Sequence, residues 1–182
     1  EAVRCGVTSV GENRVQELVE KSGAWPQELP VQWRLIGHLQ RNKARKAVHA
    51  ASAVDSVDSL ELAVLLSRLA GEGGKKLPVL IEINTSGEES KSGIAPGEAE
   101  KILEGILNTC PFLSVEGFMT IGPLGGDESG VRKAFSLLRS LSGKARNSFA
   151  LPLPELSMGM SGDFRWAVHE RSTMVRTGSA LF

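Results

Sequence analysis

The chain has 182 residues, 41% of them apolar, which is enough to bury a core but too little for two full-sized domains, so a single domain over residues 1–182 is expected. Lysine plus arginine total 21 and aspartate plus glutamate total 21, so the formal charge is zero and no broad field attracts nucleic acid or an acidic membrane. Cys5 and Cys110 lack CxxC spacing and a histidine partner, which argues against a disulfide scaffold or zinc site, and no signal peptide or apolar run of roughly 18 to 20 residues is present, so a cytoplasmic protein is expected.

In chain order, Glu1-Ala-Val-Arg-Cys-Gly6 reads as the last turn of a helix closed by a left-handed glycine. A strand is predicted at Val7–Val10, a helix at Arg14–Lys21, a strand at Trp33–Gly37 and a helix at Arg41–Ala50. There follow a strand at Ala53–Val57, a helix at Ser59–Leu69, a strand at Val79–Asn84 and a helix at Pro96–Asn108. The last predicted elements are a strand at Val115–Ile121, a helix at Glu128–Ser142, a strand at Glu155–Met160, a helix at Asp163–Arg171 and a strand at Thr173–Ala180. Leu62, Leu65, Leu66 and Leu69 mark one apolar helix face, and Val131, Phe135, Leu138 and Leu141 another.

Strand–helix alternation of this kind implies a parallel sheet. An open doubly wound sheet usually carries a GxGxxG turn after its first strand, and none occurs here. Polar or glycine residues instead cluster at the carboxyl ends of the predicted strands: Gly11-Glu12-Asn13, Gly37-His38, Asp55-Ser56, Asn84-Thr85-Ser86, Gly122, Ser161 and Gly178-Ser179. That distribution favours an α/β fold of the (β/α)8 TIM-barrel type, whose ligands bind at that end. Seven predicted strands leave the first barrel strand and most of the first helix as elements expected to be absent from this chain.

Ser161, Gly178 and Ser179 follow the last two predicted strands. Glycine lets backbone approach an anion closely and a neighbouring hydroxyl adds a rotatable donor, so both strand ends can serve one phosphate, pointing to a phosphorylated cofactor. The plain alternative is that serine and glycine merely make turns. Arg176 shares a strand face with Gly178 by the two-residue period, and its alternative is an outward side chain paired with a surface carboxylate.

Asn13, Asn84 and His38 stand at strand ends where they can line a mouth, and Met160 can pack on a ring as a polarizable wall; each can equally be a turn or core residue. Asp163 fits the N-cap of the following helix, and Glu12 fits a helix start better than a base. Lys91 is the internal lysine best placed to approach a ligand, with a solvated loop as its plain reading, and Lys43 and Lys46 belong with Arg41 and Arg45 to a solvated helix face.

Six segments carry a resemblance. Gly11-Glu-Asn-Arg-Val-Gln-Glu17, Trp33-Arg-Leu-Ile-Gly-His-Leu-Gln40 with Asn42-Lys43, Ile83 to Gly93, Gly117-Phe-Met-Thr-Ile121, Leu156 to Ser161 and Ser172 to Phe182 together resemble the pyridoxal phosphate homeostasis protein family, in its order and over nearly the whole chain. The resemblance implies a barrel similar to that of alanine racemase without its second domain, and a cytosolic carrier of pyridoxal 5′-phosphate with no established turnover. It also implies that Arg176 meets the pyridine nitrogen of the cofactor, where an arginine can only donate. The lysine that holds the aldehyde in that family lies on the first barrel strand, upstream of Glu1, so no residue of this sequence takes its role. Recipient enzymes leave no trace in the residues.

Two other functions compete. A racemase or decarboxylase of the alanine racemase-like group would explain the barrel, but stereoinversion generally needs acid–base groups on both faces of the substrate carbon, and alanine racemase uses a tyrosine for one of them; this sequence contains no tyrosine. A phosphosugar-binding barrel would explain the phosphate cradle without a lysine, but no pair of carboxylates or metal cluster marks its strand ends.

Overall fold

The computed structural model describes residues 1–181, so Phe182 of the closing motif lies outside the described residues. Seven strands form one sheet in chain order, β1-β2-β3-β4-β5-β6-β7, and β1–β2, β2–β3, β5–β6 and β6–β7 pair in parallel. By contact the described residues separate into two compact units, residues 1–79 with 105–114 and residues 80–104 with the chain from 115 onward.

The first unit opens on a 3-10 turn, Ala2–Cys5, closed by Gly6 at φ 98°, as the sequence requires of a glycine in the left-handed region. It continues through β1 (Ser9–Glu12), α1 (Val15–Gly23), β2 (Gln32–Leu35), α2 (Ala44–Ala50), β3 (Ala53–Val57) and α3 (Leu60–Glu72), and reaches the start of β4 (Leu77–Glu82). Every residue of β3 is buried, the signature of a parallel strand covered on both faces. Ser59 caps α3 by accepting the Leu62 N–H at 3.3 Å, and Leu62, Leu66 and Leu69 turn inward as the period demands. Each such leucine stabilises by roughly 2 kcal/mol through burial. Lys75 donates to the Val48 and Ala51 carbonyls at the end of α2, and burial pushes its ammonium below the ordinary lysine value.

Arg34 and Asp55 form the buried ion pair of this unit: Nε reaches Oδ1 at 3.1 Å and Oδ2 at 2.9 Å, and Nη2 reaches Oδ1 at 2.7 Å. Arg34 is 6% and Asp55 0% exposed, so two charges left water together and hold each other through a two-pronged contact.

The second unit carries most of α4 (Ala99–Thr109), then β5 (Leu113–Met119) from Val115, α5 (Glu128–Phe149), β6 (Glu155–Met160), α6 (Phe164–His169) and β7 (Met174–Arg176). Helix α5 runs seven residues past its predicted end at Ser142, because Ser142 and Ala145 continue the buried stripe of Leu138 while Gly143 faces open space. Strand β7 is shorter than predicted: the chain turns after Arg176, and Leu181 N–H bonds the Gly178 carbonyl at 2.7 Å. Gly159 has φ 94°, and a Cβ there would lie 2.5 Å from that of Ala167, so glycine is what lets α6 pack on β6. Glu170, after α6, accepts from Arg132 Nε at 3.0 Å and Arg139 Nη1 at 2.6 Å, pinning α6 to α5.

Candidate functional site

The second unit holds six of the eight candidate residues. Parallel pairing sets Met160 beside Arg176, which brings Ser161, the next residue after β6, to the turn that follows β7. Ser161 Oγ there accepts the Gly178 N–H at 3.1 Å and the Ala180 N–H at 3.2 Å. Those two amides are therefore satisfied by the serine. The donors left over are the Ser161 hydroxyl hydrogen and the N–H and hydroxyl of Ser179, none with a protein acceptor among the described residues. All belong to neutral groups, Ser161 half-buried and Ser179 on the exposed turn, the chemistry that wraps a phosphate dianion.

Arg176 reaches across three strand ends. Its Nη1 donates to Ser157 Oγ at 2.6 Å and its Nη2 to the Thr120 carbonyl at 2.8 Å. Thr120 is itself fixed, its hydroxyl donating to the Ile83 carbonyl at 2.7 Å and lying 2.9 Å from Thr85 Oγ1. Arg176 is thus held at the strand ends and not swung outward toward a surface carboxylate. Ser157 and Thr120 were not singled out from the sequence. The signal was present in Ser157, a hydroxyl between Leu156 and Met158 inside a strand that buries all three.

Met160 is 46% exposed, an apolar side chain presented at this end of the sheet and not consumed by the core. Its N–H donates to Asp163 Oδ1 at 2.5 Å; Asp163 takes the expected N-cap position of α6, but its side chain makes no capping hydrogen bond there and braces the end of β6 beside Ser161.

Asn84 is committed to its own loop. Its Nδ2 donates to the Glu88 carbonyl at 2.8 Å and its Oδ1 accepts from Ser86 Oγ at 3.0 Å and Gly87 N–H at 3.1 Å. Lys91 is neither solvated nor aimed at a ligand: its Nζ bonds Glu88 Oε1 at 3.0 Å and the Gly122 carbonyl at 2.6 Å, with 19% of the side chain exposed. The same Glu88 oxygen accepts the Leu124 N–H at 3.0 Å, so the loops after β4 and β5 are clasped together. The Lys91 hydrogen bond, with the Leu124 N–H, holds the Glu88 carboxyl below its ordinary value.

Asn13 and His38 lie in the first unit and line an open pocket of about 510 Å³ with Arg14, Gln16, Gln40 and Lys43. Gly37 packs on the Asn13 backbone, where a Cβ would lie 2.4 Å from the Asn13 carbonyl oxygen, and His38 Nδ1 is 3.1 Å from Asp58 Oδ2. Among the described residues no cluster of histidine, cysteine and carboxylate side chains is arranged to hold a metal, and no helix is long and apolar enough to cross a membrane.

The family described as "Alanine racemase, N-terminal domain" matches residues 1–182. A protein of Aquifex aeolicus named pyridoxal phosphate homeostasis protein is 38% identical over 182 residues, which cover 100% of this chain and 79% of that protein. The chain belongs to the pyridoxal phosphate homeostasis protein family. The human protein of that name is 42% identical over 193 aligned positions, covering 100% of this chain and 70% of the relative. Among solved structures, PipY of Synechococcus elongatus with PLP bound superposes with a TM-score of 0.89 at 36% identity, covering 100% of this chain and 84% of that one. The fold class is therefore the α/β barrel that the polar and glycine residues at the strand ends favoured.

The residues present fit the family's cofactor. A phosphate calls for several neutral donors, and Ser161 and Ser179 offer them; a pyridine nitrogen calls for a donor, and Arg176, paired in register with Met160 next to Ser161, offers a fixed guanidinium.

Proposed function

We propose that this chain binds pyridoxal 5′-phosphate and holds it as part of intracellular vitamin B6 homeostasis, as one cofactor-binding domain over residues 1–182 in the cytoplasm. The observation that carries the reading is the Ser161 bridge to Gly178 and Ala180 on the strand pair that also presents Arg176. Ser161 and Ser179 would hold the phosphate, Gly178 would let the turn backbone come close to it, Arg176 would face the ring nitrogen and Met160 would pack against the ring. When bound, the cofactor supplies an electrophilic aldehyde on an electron-withdrawing ring. A permanently charged guanidinium at the nitrogen only donates, so it keeps that nitrogen unprotonated and the ring a weak electron sink, which suits storage better than carbanion chemistry.

Titration with pyridoxal 5′-phosphate, followed by tryptophan fluorescence and cofactor absorbance, tests the reading. Saturable binding that inorganic phosphate weakens and that Arg176→Ala reduces is the expected result. Absence of saturable binding, or equal affinity in parent and Arg176→Ala, sinks it. Chiral chromatography after incubation with L-alanine and the cofactor separates a carrier from a racemase; sustained formation of the D-enantiomer would replace the reading by the enzymatic one.

A further inference from the structure

The geometry points to Ser157 as the positioning residue of the site: a buried hydroxyl that sets Arg176 against the nitrogen of a heteroaromatic ligand without touching that ligand. This inference rests on the cofactor reading above and deepens it. An arginine on a three-residue terminal strand has several rotatable bonds and would ordinarily spread over many rotamers. Here its two terminal nitrogens are spent on separate strands, Nη1 on Ser157 Oγ of β6 at 2.6 Å and Nη2 on the carbonyl of Thr120 just after β5 at 2.8 Å. Ser157 and Thr120 are both 0% exposed, so water does not compete for either contact. The two anchors form a fork that matches the planar guanidinium, and they differ in kind. Thr120 contributes backbone, which no substitution removes, whereas Ser157 contributes a side chain, the adjustable half of the fork. Both anchoring oxygens are uncharged acceptors, and together they fix the plane of the guanidinium. A carboxylate at position 157 would fix it equally well and would blunt its pull on a ring nitrogen.

The consequence is selective. Losing the Ser157 hydroxyl lets Arg176 leave its plane, and only a ligand with a ring nitrogen notices. The experiment compares pyridoxal 5′-phosphate with its carbocyclic analogue, which keeps aldehyde, hydroxyl and phosphate but has carbon in place of the ring nitrogen. Ser157→Ala is expected to weaken binding of pyridoxal 5′-phosphate about tenfold, the weight of one hydrogen bond to a charged group, and binding of the analogue less than about twofold. The bound cofactor's absorbance should acquire a pH-dependent change in Ser157→Ala that the parent lacks, as the nitrogen becomes free to take a proton. In an Arg176→Ala background, Ser157→Ala should cost nothing further. Equal losses for the two ligands, additive losses in the double variant, or an unchanged affinity would each overturn the assignment while leaving the cofactor reading intact. Ser157→Cys keeps the volume of the side chain and is judged by the same ratios if the alanine variant does not fold. Failure of the parent to bind either ligand would instead remove the cofactor reading, and this inference with it.

Discussion

The Ser161 hydroxyl oxygen accepts the Gly178 N–H at 3.1 Å, and through that contact the end of β6 organises the turn after β7. The same oxygen accepts from Ala180 at 3.2 Å, so one side chain shapes the turn and still has its own hydrogen to give. In the sequence, Gly178 reads as a residue that lets the backbone come close to a phosphate. The structure gives that N–H to Ser161 Oγ, so Gly178 supports the serine by shaping the turn around it.

Ser161→Ala removes the proposed donor to the phosphate and two contacts that set the turn. Loss of one hydrogen bond to a charged group costs about 1.5–3 kcal/mol, so affinity for pyridoxal 5′-phosphate should fall at least tenfold. Pyridoxal, which has no phosphate, should be affected far less. Fluorescence titration with both ligands checks this, and equal losses for the two would show that the serine shapes the turn without meeting the phosphate.

Lys91 should not become the main covalent attachment point of the cofactor. Its ammonium is committed to Glu88 and the Gly122 carbonyl, and an amine must shed its proton and these partners before attacking an aldehyde. Reductive trapping with borohydride after incubation with pyridoxal 5′-phosphate, followed by peptide mapping, is expected to give no dominant adduct at Lys91 in the parent. Glu88→Gln should raise labelling at Lys91 and speed hydrogen exchange at Leu124, whose N–H shares the same carboxylate. Heavy labelling of Lys91 in the parent contradicts the clasp.

The fold was legible in the sequence to the extent that one period ruled each segment. Strands β3 and β6 have their predicted bounds, since Ala53–Val57 and Glu155–Met160 are short runs set off by small or polar residues. Boundaries slipped where a local signal contradicted burial. Ser142-Gly143 reads as a stop, yet Ala145 beyond it is 0% exposed and carries the helix on. Residues 177–180 read as strand, yet the turn built on Ser161 ends the strand at Arg176. At the site, residue types announced the donors, but their division of labour depended on which strand ends meet. Spacing places Arg176 near Gly178; only the folded hydrogen bond between β7 and β6 reveals Ser157 as its anchor. Asn84 shows the converse, a plausible ligand residue whose amide is occupied within four residues of itself.

Asp55→Ala should be among the most destabilising substitutions in the first unit. It strips Arg34, 6% exposed, of a two-pronged partner, and breaking a buried ion pair from one side costs about 3–5 kcal/mol. For a chain of this size that corresponds to a fall in Tm of roughly 10 °C, measurable by circular dichroism. A shift below about 2 °C for Asp55→Ala would show that other groups carry the guanidinium.

Glu170 gives the second unit an acid-sensitive joint. Burial alone pushes its carboxyl up, but the Arg132 hydrogen bond and the charges of Arg139 and Arg132 outweigh it, and the group sits below its ordinary value of 4.5. A carboxyl depressed in the folded state binds fewer protons there than in the unfolded chain, so it stabilises at neutral pH. That contribution declines as pH falls through 4.5 and is gone below the depressed folded value. Glu170→Gln should therefore lower Tm at pH 7, with the gap from the parent closing as the pH is taken down toward 3. Salt should narrow the gap as well, since Arg132 and Arg139 are 45% and 40% exposed and remain open to screening. Parallel Tm curves for parent and variant across that pH range would mean that the carboxylate joins α6 to α5 by shape alone, with its charge contributing nothing.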